Sequence, residues 1–116
     1  MPLLSITTNQ PLTEADRPQA LKQLSATVAQ ALGKPERYVM LSYQHNPNML
    51  FGGSDAPLAY LELKSIGLPG DKTSALSATL SEAMQTILRV SPDRVYIEFA
   101  DAERHMWGWD GGTFVR

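Results

Sequence analysis

An imino nitrogen, one lysine and a few aromatic side chains are the groups in this sequence that could move a proton. Pro2 directly follows Met1 and opens an apolar stretch, Leu3-Leu4. Proline is small enough for methionine aminopeptidase, so loss of Met1 would expose a secondary amine. With Met1 attached, the same nitrogen is an amide and no base. A general base works best with a pKa near the working pH. An ordinary α-amine titrates at about 7.7–8.0, and the secondary amine of proline is more basic. Burial among Leu, Ile and Trp disfavours the charged form, and a neighbouring ammonium disfavours it further. Lys34 is the candidate neighbour. At an effective dielectric of ~20, a like charge roughly 6–8 Å away contributes about 2 kcal/mol. Ser65-Ile66-Gly67, Tyr96 and Trp109 complete the candidate set. Each has an ordinary role when taken singly. Lys34 follows a helix C-terminus, where a cation favours the dipole. Ser65-Ile66-Gly67 ends a strand, and Tyr96 is a packed strand aromatic.

Other chemistries find less support. The chain has 116 residues, a net charge of −2 and no cysteine. That is the length of one domain, 1–116. No basic footprint for nucleic acid is present, and thiol redox and Cys-type metal chemistry are excluded. His45 and His105 stand apart without ligand spacing, so no metal site and no cofactor are expected. Gly52-Gly53 and Gly111-Gly112 lack the Lys-Ser/Thr of a phosphate loop and read as turns. No apolar run approaches the roughly 18 residues of a membrane span. No leader pattern is evident, so the cytoplasm is the expected compartment.

The elements that must position these residues come in two matching halves. A shift of 57 residues lays Lys34-Pro35-Glu36-Arg37-Tyr38-Val39-Met40 on Ser91-Pro92-Asp93-Arg94-Val95-Tyr96-Ile97. It also lays Leu4 and Ile6 on Leu61 and Leu63. Pseudo-repeats over 1–57 and 58–116 follow. Each reads strand, helix, strand. The first half predicts a strand over 2–8, a helix over 16–32 and a strand over 38–45. Asp16 is the expected N-cap, and Leu21, Leu24, Val28 and Leu32 the buried stripe. Gly33 and Pro35 stop the helix. The second half predicts a strand over 58–65 and a helix capped by Asp71. The stripe there is Leu76, Leu80, Ala83 and Ile87, and the helix ends at Ser91-Pro92. A strand over 95–100 follows, with a short one over 106–109. The fold class is α+β, a four-stranded sheet with both helices on one face, as right-handed crossovers require. Leu4, Ile6, Leu61, Leu63, Val95, Ile97 and Phe99 face the helices. Ser5, Thr7, Glu62, Lys64, Tyr96 and Glu98 face away, on a surface that water or another copy must cover.

With Met1-Pro2, Gly33-Lys34-Pro35, Phe51-Gly52-Gly53-Ser54, Ser65-Ile66-Gly67, the block from Ser91 to Ile97, Gly108-Trp109 and Thr113-Phe114 in this order, the chain resembles the macrophage migration inhibitory factor family of the tautomerase superfamily. The resemblance covers nearly the whole chain. It implies a homotrimer with sites between subunits, and interconversion of keto and enol forms of small aromatic 2-oxo acids such as phenylpyruvate, with isomerisation of dopachrome derivatives. It implies Pro2 as the catalytic base once Met1 is lost. Lys34 and the Ile66 N–H, beside Ser65, would hold the substrate carboxylate. Tyr96 of a neighbouring subunit would line the pocket, with Tyr38, Trp109 and Phe114 around the ring. Two departures matter. Leu58 and Leu61 stand where the family's animal cytokine has a Cys-x-x-Cys pair, so thiol redox activity is not expected. Glu98 stands in place of an asparagine. Its charge would repel an anionic substrate and raise the Pro2 pKa, so weak catalysis is expected, with Glu98→Asn raising turnover. A cytokine-like signalling or binding protein with a vestigial pocket is the alternative. A ferredoxin-like module that binds a ligand without chemistry is a third.

Overall fold

The computed structural model describes residues 1–115. Alternation of buried and half-buried side chains makes Leu3–Thr8 a strand, β1. Leu4 and Ile6 are buried as their spacing predicts, and Thr8 joins them. The Thr8 hydroxyl donates to the Leu58 carbonyl at 2.7 Å and accepts the Gln10 N–H at 3.1 Å, so its burial leaves no polar atom unpaired. Helix α1 spans Arg17–Leu32 and buries Ala20, Leu24 and Val28. Leu21 and Leu32 of the expected stripe are only half-buried. Asp16 occupies the N-cap but makes no side-chain cap bond. Its N–H donates to the Thr13 hydroxyl at 3.1 Å instead, so Thr13 shapes the entry. Gly33 closes the helix with φ 64, a left-handed conformation that favours glycine.

Strand β2, Met40–His45, starts later than expected because Glu36–Tyr38 wind into a one-turn 3₁₀ helix after Pro35. Pro92–Arg94 do the same before β4, Val95–Ala102. The repeated Pro-acid-Arg entry therefore has a repeated conformation. Strand β3 is Ala59–Ile66, and helix α2 is Thr73–Leu88. Asp71 does not cap α2; it lies in a 3₁₀ turn, Gly70–Lys72, and Lys72 holds the N-cap without a side-chain bond. The buried stripe of α2 is Leu76, Leu80, Met84 and Leu88, with Ala83 and Ile87 at its margin. Unbranched Met84 fills the deepest position. The helix stops at Leu88, short of Ser91-Pro92, because Arg89 turns left-handed at φ 59. Buried Val90 then follows, its N–H bonded to the Met84 carbonyl.

The sheet order is β2-β1-β3-β4. β1 and β2 are parallel, β3 and β4 are parallel, and β1 meets β3 antiparallel. Both crossover helices cover the face that carries Leu4, Ile6, Leu61 and Leu63, and this layer is the core. Val95, Ile97 and Phe99 pack against it but stay half-buried, as an edge strand dictates. Glu98 and Tyr96 are exposed on the other face. A small hairpin, β5 (Gly108–Trp109) with β6 (Gly112–Thr113), ends the chain. Asp110 and Gly111, at φ 50 and 76, form its turn, one residue earlier than the Gly111-Gly112 pair suggested.

Candidate active site

Pro2 is fully buried at the head of β1. Its carbonyl accepts the Met40 N–H at 2.9 Å, which locks the residue between β1 and the start of β2. Parallel pairing of β1 with β2 thus fixes the chain end, although Pro2 lies outside the strand. Met1 is in place, and its amine donates to the Tyr38 carbonyl at 2.8 Å. That amine is held below its ordinary pKa of 8.0, first by burial and then by the charge of Lys34. Lys34 reaches this position because Gly33 turns the chain out of α1. Glu98 acts on Tyr60, whose hydroxyl is held above its ordinary value by partial burial, by the bond it donates to Glu62, and by the Glu62 and Glu98 charges.

Met1 and Pro2 border a cavity of about 250 Å³, with Tyr38, Trp107, Trp109 and Phe114 on its walls. The aromatic rings brace one another. Tyr38 meets Trp109 edge-on at 5.6 Å and Phe114 edge-on at 5.7 Å, while Trp109 and Phe114 stack at 5.4 Å. The terminal hairpin delivers Trp109, and the Phe114 N–H is tied to the Arg104 and Trp107 carbonyls, both at 3.2 Å. Four of the residues singled out from sequence therefore meet here: Pro2, Tyr38, Trp109 and Phe114.

The others lie elsewhere on the chain. Lys34 and Ile66 border a second cavity of about 430 Å³, together with Gly67, Asp101 and Arg104. Ser65 is buried beneath it, its hydroxyl on the Ile66 carbonyl at 3.3 Å. Tyr96 contacts Phe51 at 4.5 Å and borders a third cavity, also about 430 Å³, with Met49, Leu50 and Tyr60. Tyr96 and Glu98 thus share one strand face, apart from the cavity around Pro2.

Three residues escaped the sequence reading. Trp107 walls the Pro2 cavity, Arg104 borders that of Lys34, and Arg94 holds the 51–57 loop. Arg94 donates to the carbonyls of Phe51 (2.9 Å), Ser54 (3.0 Å), Ala56 (3.0 Å) and Pro57 (3.1 Å), and stacks over the Phe51 ring. Its place in the repeated Pro-acid-Arg entry was the available signal.

The sequence model of the macrophage migration inhibitory factor (MIF) family matches residues 1–115. A macrophage migration inhibitory factor homolog of Brugia malayi is 40% identical over 115 residues, spanning 98% of this chain and 99% of its own length. The macrophage migration inhibitory factor of Mus musculus is 36% identical over 117 residues, spanning 99% of this chain and 100% of its own. The crystal structure of the homologue from Prochlorococcus marinus superposes with a TM-score of 0.89 at 39% identity, covering 97% of this chain and 98% of that one. Among the described residues no helix is long and apolar enough to cross a membrane. With agreement of sequence and fold along nearly its full length, the chain belongs to the macrophage migration inhibitory factor family of the tautomerase superfamily.

Proposed function

We propose that the chain is a weakly active keto–enol tautomerase of the phenylpyruvate type, also acting on dopachrome derivatives, with Pro2 as general acid and base after loss of Met1. One observation carries this reading: Pro2 is fully buried beside an aromatic cavity, at a chain end where burial and Lys34 already hold the Met1 amine below its ordinary pKa, so the same surroundings would act on a Pro2 amine once Met1 is lost. The neutral Pro2 nitrogen takes a proton from C3 of the 2-oxo acid, and the enolate oxygen is then protonated. The reverse order returns the keto form. Lys34 and the Ile66 N–H hold the carboxylate, with Ser65 supporting that strand end. Tyr38, Trp109 and Phe114 surround the aromatic ring. No cofactor takes part.

The functional unit is a homotrimer with the cytoplasm as its working compartment. Residues 1–116 act as one domain of two pseudo-repeats, 1–57 and 58–116; Arg116 lies outside the described residues. As the family resemblance implies, a neighbouring subunit supplies Tyr96, and Glu98 shares its strand face. The sheet face that carries both lacks a covering layer among the described residues, which supports the assembly.

The test is phenylpyruvate tautomerisation followed by absorbance, on protein shown by mass spectrometry to start at Pro2. Pro2→Gly, or an Ala inserted before Pro2, should lower kcat/KM by about a hundredfold or more, the usual weight of a general base. Undiminished turnover in either variant excludes Pro2 as the base. A silent wild-type chain that starts at Pro2 would leave only the signalling or binding reading.

A further inference from the structure

Lys34 and Arg104 border the same cavity of about 430 Å³, floored by Ile66 and Gly67. Asp101 and Glu103 also line it, and each has one polar contact of its own. Asp101 accepts the Leu68 N–H at 2.9 Å, and the Glu103 carboxylate lies 3.3 Å from His105 Nδ1. The close ion pairs among the described residues are Lys64–Glu62 and His105–Glu103; neither Lys34 nor Arg104 enters one. Arg104 is nonetheless braced. Its Nε donates to the Phe114 carbonyl at 3.1 Å, and the Phe114 N–H donates back to the Arg104 carbonyl at 3.2 Å. The first bond anchors the Nε edge of the guanidinium and the second fixes its backbone, and Nη1 and Nη2 have no protein acceptor among the described residues. Phe114 thereby links the two cavities. Its ring walls the one around Pro2, and its backbone fixes the cation beside the one around Lys34.

Lys34 and Arg104 bring two positive charges to a lining that also carries the Asp101 and Glu103 carboxylates, and an anion that reaches both cations gains from each. The groups are also complementary. A guanidinium offers a planar fork matched to a carboxylate, and an ammonium offers a mobile point charge. We propose that Arg104 is a second cation for the substrate carboxylate. With Lys34 it closes on the acid end of a 2-oxo acid whose ring lies among Tyr38, Trp109 and Phe114, so that the site selects free acids over their esters. The substrate class rests on the tautomerase reading; the anion site rests on the cavity alone.

The experiment uses full-length protein starting at Pro2, with Arg104→Gln and Arg104→Lys. Binding of 3-phenylpropanoate, an unreactive acid, and of its methyl ester is followed by NMR titration. KM and kcat for phenylpyruvate are measured in parallel. Arg104→Gln should weaken the acid about tenfold and raise KM to match, one partly solvated charged contact. Ester binding should not change, kcat should stay within about twofold, and Arg104→Lys should keep part of the affinity. Equal loss for acid and ester would reduce Arg104 to a brace for Phe114 and overturn the proposal. So would an unchanged affinity for the acid, or no saturable acid binding by the wild type. Acid binding that depends on Arg104 in a chain without turnover would uphold the anion site and defeat the tautomerase reading instead.

Discussion

Met1 and Lys34 line different cavities, yet their charges act on each other. The folded chain prefers the Met1 amine neutral, because burial and then the Lys34 charge depress its pKa below 8.0. The stabilising contribution is therefore complete above that pH and is lost as pH falls through the depressed folded value. Lys34→Met should raise the folded pKa yet leave it below 8.0, since burial, the larger cause, remains. An NMR titration of the terminal amine checks this; a fall, or no movement, would remove Lys34 from the site's electrostatics. At this scale Pro2 and Lys34 were legible, because a chain end and a helix stop announce themselves in local sequence. Arg104 was not. A lone cation in an irregular tail carries no periodicity, and its importance comes from bonds to Phe114, ten positions away. Glu98 was legible as a charge on the Tyr96 face, but its distance from its own Pro2 depends on strand placement that sequence does not give.

Elements were read well where burial alternates and poorly where a cap or turn decides. β1 and β3 followed from Leu and Ile every second residue. Asp16 holds the expected N-cap position, though the Thr13 turn supplies the bond there, whereas Asp71 gives way to Lys72 because the Gly70–Lys72 turn comes first. The start of β2 was misread because proline before an acid favours a tight turn over immediate extension. Arg94 shows what such an entry can hold, with four loop carbonyls on one guanidinium. Arg94→Ala should cost about 2–3 kcal/mol in urea unfolding, less than the sum of four bonds because part of the loop turns to water. Arg94→Lys should recover less than half of that loss, since an ammonium lacks the fork. A cost below about 0.5 kcal/mol would show the loop to be held by other means.

At the scale of the whole molecule, one sheet face lacks a covering layer among the described residues, and alternation in β1, β3 and β4 made that face legible from the start. Which residues of that face would serve a neighbour's site was not legible, because it depends on contacts between copies. Large apolar groups remain exposed near the sheet's margins, with Met40 at 65%, Leu50 at 70% and Tyr96 at 65% accessible. Sedimentation equilibrium should return three times the chain mass. Activity should reappear when inactive Pro2→Gly chains are mixed with weakened Tyr96→Ala chains, because mixed assemblies regain intact sites. A monomer, or mixing without recovery, would place Tyr96 outside the site. Arg94 binds Phe51 on one side of Gly52-Gly53 and Ser54, Ala56 and Pro57 on the other, while β1 and β3 join the halves at the sheet centre. A protease nick between those glycines would therefore sever the peptide without parting the fragments, and the two pieces should travel as one particle until denaturant frees the guanidinium.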